Sequence, residues 1–243
     1  MKAYAVTDIG RVRSANQDYF YFTDEPIGEL QNLFIVADGM GGHKAGDLAS
    51  RYTVEKFREL VESYDYKDTV NIFTNAVTQV NQMLIEKALE SRDYEGMGTT
   101  LVVATIEGSA LKVANVGDSR LYIIGDDITQ ITRDHSLVEE MVQRGELDKE
   151  SARVHVNKNI ITRAIGADVS VVPEIFSVDL EKGDKILLCS DGLTNMVDDG
   201  RIARLIKAGG SVREICERLI EAANENGGSD NITAMVIDPE VER

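Results

Sequence analysis

Leu33-Phe34-Ile35-Val36-Ala37-Asp38-Gly39-Met40-Gly41-Gly42 is the stretch that decides how this chain of 243 residues is read. Its five successive apolar residues describe a strand covered on both faces, because a strand with one wet face alternates apolar and polar side chains. The run breaks at a carboxylate, so the acid is expected at the rim of the core. The glycines that follow leave a bare backbone, which permits a sharp turn and lets the main chain approach a ligand closely. Ile186-Leu187-Leu188-Cys189-Ser190 running into Asp191-Gly192 repeats the design. A single Asp-Gly pair is also an ordinary turn; two at the ends of apolar runs ask for a common explanation.

Working outward, residues 2–8, 18–23 and 32–37 read as strands and 46–62 as a helix. A second helix is expected over 68–90, where Val70, Phe73, Val77, Val80, Leu84 and Ala88 recur at a helical period. Strands return at 99–106, 110–116 and 120–124, with turns at Glu107-Gly108 and Gly125-Asp126. Ser136-Leu137-Val138-Glu139 has the capping-box pattern and opens a short helix to Arg144. Residues 150–170 lack periodicity and read as irregular. Strands follow at 171–179 and 184–190, helices near 199–207 and 211–225, and a strand at 231–237. In the 211–225 helix Val212, Ile215, Cys216, Leu219, Ile220 and Ala223 form one apolar stripe. Strand groups separated by helix pairs point to a layered α+β fold.

Bulk properties narrow the function. The hydrophobic and charged fractions, 43% and 28%, are those of an ordinary globular protein. No apolar run approaches the ~18 residues of a membrane span, and the start, Met1 to Asp8, turns polar too soon for a signal peptide. Cys189 and Cys216 both read as small buried hydrophobes, so a reducing compartment, the cytoplasm, is expected. The net charge of −16 and the lack of any basic run argue against nucleic acid as a partner.

Three further acids share the setting of Asp38 and Asp191. Asp18 follows Arg13-Ser14-Ala15-Asn16-Gln17, Asp118 sits in Asn115-Val116-Gly117-Asp118-Ser119-Arg120, and Asp230 sits in Gly227-Gly228-Ser229-Asp230-Asn231. Asp118 beside Arg120 is equally readable as a turn carrying a surface ion pair. If all five converge, the site draws on the whole chain, so one domain spanning 1–243 is expected. Carboxylates crowded together cannot all ionise unaided; divalent cations resolve the conflict. Oxygen-only ligands select Mg²⁺, Mn²⁺ or Ca²⁺ over zinc. The chain has only three histidines, no His-Glu-x-x-His and no Cys-x-x-Cys, and it has no EF-hand loop.

These segments, with Gly98-Thr99-Thr100, resemble in content and order the motifs of the PPM family, the type 2C metal-dependent protein phosphatases. The resemblance is closest to the small bacterial members and runs from Arg13 to Thr233. It implies a four-layer αββα sandwich, two antiparallel sheets flanked by helices. It implies two or three Mn²⁺ or Mg²⁺ ions, bridged by Asp38 and bound by the Gly39 carbonyl. Asp191 and Asp230 would hold the first ion, Asp18 would support the second through water, and Asp118 with Asp191 would hold a third. Arg13 would bind the substrate phosphate while an activated water displaces the serine or threonine oxygen. Some members carry a histidine after the first Asp-Gly; here Met40 stands there, leaving His43 or a water as the general acid. Residues 145–168 match the family's variable flap, where Arg163 is either a substrate contact or structural. The expected partners are phosphoproteins, including a Ser/Thr kinase, in a role that opposes a bacterial Ser/Thr kinase, and the expected state is a monomer without membrane attachment. The rivals are a different phosphoryl-transfer enzyme, for which no nucleotide-binding loop is present, and a catalytically silent regulator of the same fold, which would not need metal.

Overall fold

The computed structural model describes residues 1–42 and 45–240. In chain order it forms β1 (Lys2–Asp8), β2 (Asp18–Thr23), β3 (Leu33–Met40), α1 (Ala45–Ser63) and α2 (Thr69–Ala88). Then come β4 (Gly98–Thr99), β5 (Leu101–Glu107), β6 (Ala110–Val116), β7 (Arg120–Ile124) and β8 (Ile128–Gln130). The remainder is α3 (Leu137–Gln143), α4 (Lys149–Val154), β9 (Glu174–Asp179), β10 (Lys185–Cys189), α5 (Asp191–Thr194), α6 (Asp199–Lys207), α7 (Val212–Glu225) and β11 (Ile232–Asp238).

The strands form two antiparallel sheets. One has the order β1-β11-β10-β7-β8; the other has the order β2-β3-β5-β6-β9, with β4 added alongside β3. Successive side chains of a strand point to opposite faces, and here both faces are used. Phe34 and Val36 of β3 pack between the sheets with Leu121, Ile186, Leu188, Met235 and Ile237. Leu33, Ile35 and Ala37 point the other way, onto Phe57, Phe73 and Val80 of α1 and α2. In β10 the division repeats: Ile186 and Leu188 face the other sheet, while Leu187 and Cys189 meet Ile215, Cys216 and Leu219 of α7. The continuous apolar runs are therefore strands with two dry faces, and the result is the expected four-layer αββα arrangement.

Several boundaries differ from those read off the sequence. Asp38-Gly39 is not a turn. β3 continues through both residues, because Asp18 pairs with Asp38 on one side and Gly39 with Thr99 on the other. Asp191-Gly192 begins the short helix α5. The predicted irregular segment contains α4, whose N-cap Asp148 accepts from the Ser151 N–H at 2.8 Å; a helix of six residues is too short to show a period. β9 starts after Pro173, which cannot donate to a ladder. At α3 only half of the capping box forms: Ser136 accepts from the Glu139 N–H, while the Glu139 carboxylate accepts from Gln143.

The layer between the sheets should dominate stability. Phe34→Ala, at a fully buried position, is expected to lower the unfolding free energy by about 3–5 kcal/mol. Leu89→Ala, at a position 82% exposed, should change it by less than about 0.5 kcal/mol. Urea denaturation of the two variants checks this, and comparable losses would refute the assignment of the core.

Candidate active site

At one end of the sandwich the sheets bring their acids together. Asp18 and Asp38 are direct cross-strand partners on β2 and β3. Asp191 follows β10, Asp230 precedes β11, and Asp118 lies between β6 and β7. Asp38 is surrounded by the other four. Burial first, and then the negative charges of Asp18, Asp191, Asp118 and Asp230, push its pKa well above the ordinary 3.8. Asp191 is pushed up to about 6, first by burial and then by Asp230, and it shares a hydrogen bond with Asp38. Asp18 is pushed up to about 7, mainly by burial. Asp118 is raised well above 3.8, first by burial and then by Asp191. All five predicted aspartates are thus in one place, and the site holds more negative charge than it can keep ionised.

Asp18 and Asp191 are held from behind by neutral donors, and Asp38 through its main chain. Asp18 Oδ2 accepts from the hydroxyls of Ser190 and Thr233, both at 2.7 Å. Asp18 Oδ1 is buried and has no hydrogen-bond partner. Asp191 Oδ2 accepts from Asn195 Nδ2 at 2.9 Å. The Asp38 main chain is pinned on both sides: its N–H donates to Thr100 Oγ1 at 2.8 Å, and its carbonyl accepts from the Thr100 N–H and Thr99 Oγ1, each at 2.9 Å. Thr100 Oγ1 in turn lies 2.7 Å from Ser119 Oγ. The sequence reading did not pick out these hydroxyls as a group. The signal was their place, since Thr99, Thr100, Ser119 and Ser190 all sit inside or beside the acidic motifs.

The two Asp-Gly glycines are explained by close approach. A Cβ on Gly39 would lie 2.0 Å from the Gly46 carbonyl oxygen, and one on Gly192 would lie 1.9 Å from that of Asn231. Neither residue is at positive φ, so packing, not turn geometry, demands glycine here.

Arg13 reaches the cluster from the β1–β2 loop and donates to Asp230 Oδ2 at 2.7 Å. Asn231 anchors that loop. Its side chain donates to the carbonyls of Ile9 and Ala15 and accepts from the Gln17 N–H, at 2.9–3.0 Å. Arg120 does not pair with Asp118. It is engaged by Asp134, with Nε and Nη2 both donating, and by the Tyr122 hydroxyl. His135 accepts from the Gly117 N–H through Nδ1, which agrees with a structural role. Arg163 is turned toward His135 Nε2 and donates to the Val172 carbonyl. His43 lies outside the described residues.

The donor set suits a hard divalent cation. It is all oxygen, it is in excess of the positive charge nearby, and it includes a buried carboxylate oxygen with no partner. Among the described residues no three acidic, histidine or cysteine side chains close around a single point.

Comparison with known proteins agrees with this architecture. The chain is 39% identical to the serine/threonine phosphatase stp of Listeria innocua, over 98% of this chain and 96% of that protein. It superposes on the crystal structure of the serine/threonine phosphatase Stp1 from Staphylococcus aureus with a TM-score of 0.91 at 36% identity, covering 98% and 95% of the two chains. A second match is the catalytic domain of the serine/threonine protein phosphatase PstP, solved with two manganese ions, at TM-score 0.85 and 34% identity, covering 97% and 96%. The family model described as Protein phosphatase 2C matches residues 22–232. With both ends of the acidic cluster assembled on that fold, the chain belongs to the protein phosphatase 2C family.

Proposed function

We propose that this protein serine/threonine phosphatase removes phosphate from phosphoserine and phosphothreonine at the five-aspartate cluster, using divalent ions held there. The observation that carries this reading is the convergence of Asp18, Asp38, Asp118, Asp191 and Asp230, the first four with proton affinities raised by burial and by neighbouring carboxylates. Asp38 and the Gly39 carbonyl, with Asp191, Asp230 and Asp18, would hold two ions, and Asp118 with Asp191 a third. Mn²⁺ and Mg²⁺ both suit this set. When bound, such ions supply a water of lowered pKa and positive charge opposite the phosphoryl oxygens.

The protein's own part is positioning. The Ser190 and Thr233 hydroxyls and the Asn195 amide keep Asp18 and Asp191 in place without adding charge. Arg13, anchored through its loop by Asn231, presents a guanidinium that matches two phosphoryl oxygens. That guanidinium rests on Asp230, so engaging a phosphate requires it to turn. His43 is proposed to return a proton to the departing alkoxide. The whole of 1–243 acts as one catalytic domain in this reading, with 145–168 as a flap beside the site. Its substrates are phosphoproteins, among them products of a bacterial Ser/Thr kinase; it works in the cytoplasm as a monomer. No helix of the described residues is long and apolar enough to cross a membrane.

Three outcomes are expected. Phosphate release from a phosphothreonine peptide should require Mn²⁺ or Mg²⁺, stop with excess chelator, and fall by at least about 10²-fold in Asp38→Asn; near-normal turnover of that variant at saturating Mn²⁺ would remove Asp38 from the site. Stability should respond to pH in a defined sense. Carboxyls whose folded pKa lies above the unfolded value stabilise fully below about pH 4 and lose that contribution as pH rises through about 6 to 7. The chelated protein should therefore melt at a higher temperature at pH 5.5 than at pH 7.5, and Mn²⁺ at pH 7.5 should restore the difference; a chelated protein indifferent to pH would contradict the crowding. Finally, His43→Gln should slow an alkyl phosphate by about 10²-fold or more and leave p-nitrophenyl phosphate nearly untouched, because nitrophenolate departs without a proton. Equal slowing of both substrates would exclude the general-acid role.

A further inference from the structure

Asp118 differs from its neighbours in how it is held. Asp18 and Asp191 are aimed by side-chain donors, Ser190, Thr233 and Asn195. Among the described residues no side chain donates to the Asp118 carboxylate, so its direction follows from the main chain that carries it. That main chain is fixed on both sides. After Asp118, Ser119 Oγ lies 2.7 Å from Thr100 Oγ1. Before it stands Gly117, buried and at a φ of +106°, where a Cβ would lie 2.6 Å from the Thr100 side chain.

His135, 18 positions further along the chain, grips Gly117 at two points. The Gly117 N–H donates to His135 Nδ1 at 3.0 Å, and the His135 N–H donates to the Gly117 carbonyl at 2.9 Å. The carbonyl also accepts from Asn115 Nδ2 at 3.2 Å, whereas the N–H goes to the imidazole. His135 is buried between β8 and α3 and is itself anchored, since its carbonyl accepts from the Thr162 N–H at 2.8 Å. A ring nitrogen that accepts carries no proton, so the imidazole is neutral and its proton is on Nε2, which faces Glu174 Oε2 at 3.3 Å. The Arg163 guanidinium lies 3.1 Å from the same nitrogen. Burial first, and then that positive charge, lower the pKa of the ring from the ordinary 6.5, which keeps Nδ1 free to accept. The imidazole thus does for Asp118, through Gly117, what hydroxyls do directly for Asp18: it fixes position without adding charge.

We propose that His135 is a positioning residue for the third ion: by gripping Gly117 it holds the Asp118 carboxylate toward Asp191. This rests on the reading of Asp118 and Asp191 as the ligands of that ion. Asp191 is the charged neighbour that acts most strongly on Asp118, so the two carboxylates already face one another's field. Without the imidazole the Gly117 N–H is buried and unmet, a penalty that the loop relieves only by shifting. A shift there moves Asp118. Asp18 and Asp38 lie on β2 and β3, and Asp191 and Asp230 flank β10 and β11; their side-chain and main-chain bonds come from other residues. Loss of the imidazole is therefore selective. It weakens the ion that depends on Asp118 and spares the two that do not.

The test is calorimetric titration of Mn²⁺ into the metal-stripped full chain, for wild type, Asp118→Asn, His135→Leu and His135→Asn. In asparagine the amide oxygen takes the place of Nδ1 and can accept the Gly117 N–H; leucine fills the space and accepts nothing. Wild type should bind two ions tightly and one more weakly, and Asp118→Asn should lose the weak event. His135→Leu should weaken that event by about tenfold or more, as for other supports one step behind a metal ligand, and leave the tight events unchanged. His135→Asn should restore it. His135→Gln, whose amide reaches the place of Nε2 instead, is a second removal that keeps the comparison intact if the leucine variant does not fold. A weak event that survives in both removals while Asp118→Asn abolishes it would overturn the positioning role and leave Asp118 as a ligand. Parallel weakening of all the ions, or an asparagine variant no better than the removals, would overturn it too, since either marks general damage to the fold. A weak event that survives in Asp118→Asn would overturn the ligand reading, and the proposal with it.

Discussion

Mutual repulsion among carboxylates is the constraint to which the structure answers. Asp18, Asp38, Asp118 and Asp191 sit where burial and neighbouring charge both oppose ionisation. Nothing local could keep them together. What does so is the pair of sheets, whose strands are apolar on both faces and pack against each other and against the helices. The acids are carried at strand ends, so moving one apart from the others would mean disrupting a ladder. The hydrophobic core thus supplies the energy that a concentrated negative site consumes, a trade commonly seen where a binding centre is held in a strained electrostatic state.

The support around the acids follows the same logic. A lysine or arginine behind each carboxylate would relieve the repulsion permanently and compete with any cation. Hydroxyls and amides fix position without neutralising charge. Ser190, Thr233 and Asn195 do this for Asp18 and Asp191, and Thr99 and Thr100 hold the main chain of Asp38. Arg13 is the exception, and it stands on the β1–β2 loop, where its bond to Asp230 is partly exposed. A counter-charge in that position can be exchanged, whereas one packed beneath the cluster could not.

Much of this was legible before any coordinates. Unbroken apolar runs ending in Asp38 and Asp191 announced strands with two dry faces, and their registers bear that out. The five acids were identifiable from their settings and their order. The partners were not, because they depend on register between segments far apart. Ser190 reaches Asp18 across 172 positions of sequence, and Asn231 reaches Ala15 across 216. No local pattern encodes such a pair. Arg120 shows the opposite trap: its neighbour Asp118 invited a local ion pair, while the folded chain gives it Asp134. The Asp-Gly pairs misled in another way, since steric contact with a distant carbonyl and a turn leave the same glycine in the sequence. Short elements such as α4 and β8 carry too few residues for a period to register.

The position of β11 has a consequence for how the enzyme comes into being. This strand lies between β1 and β10, although it follows every other element in the chain, and Asp230 and Asn231 stand at its entrance. Without it, β1 has no partner in its sheet, the Arg13 loop loses its bonds to Asn231, and the acidic cluster lacks Asp230. The two ends of the chain are therefore coupled: the strand that closes this sheet around β1 is also the one that brings the fifth aspartate to the cluster.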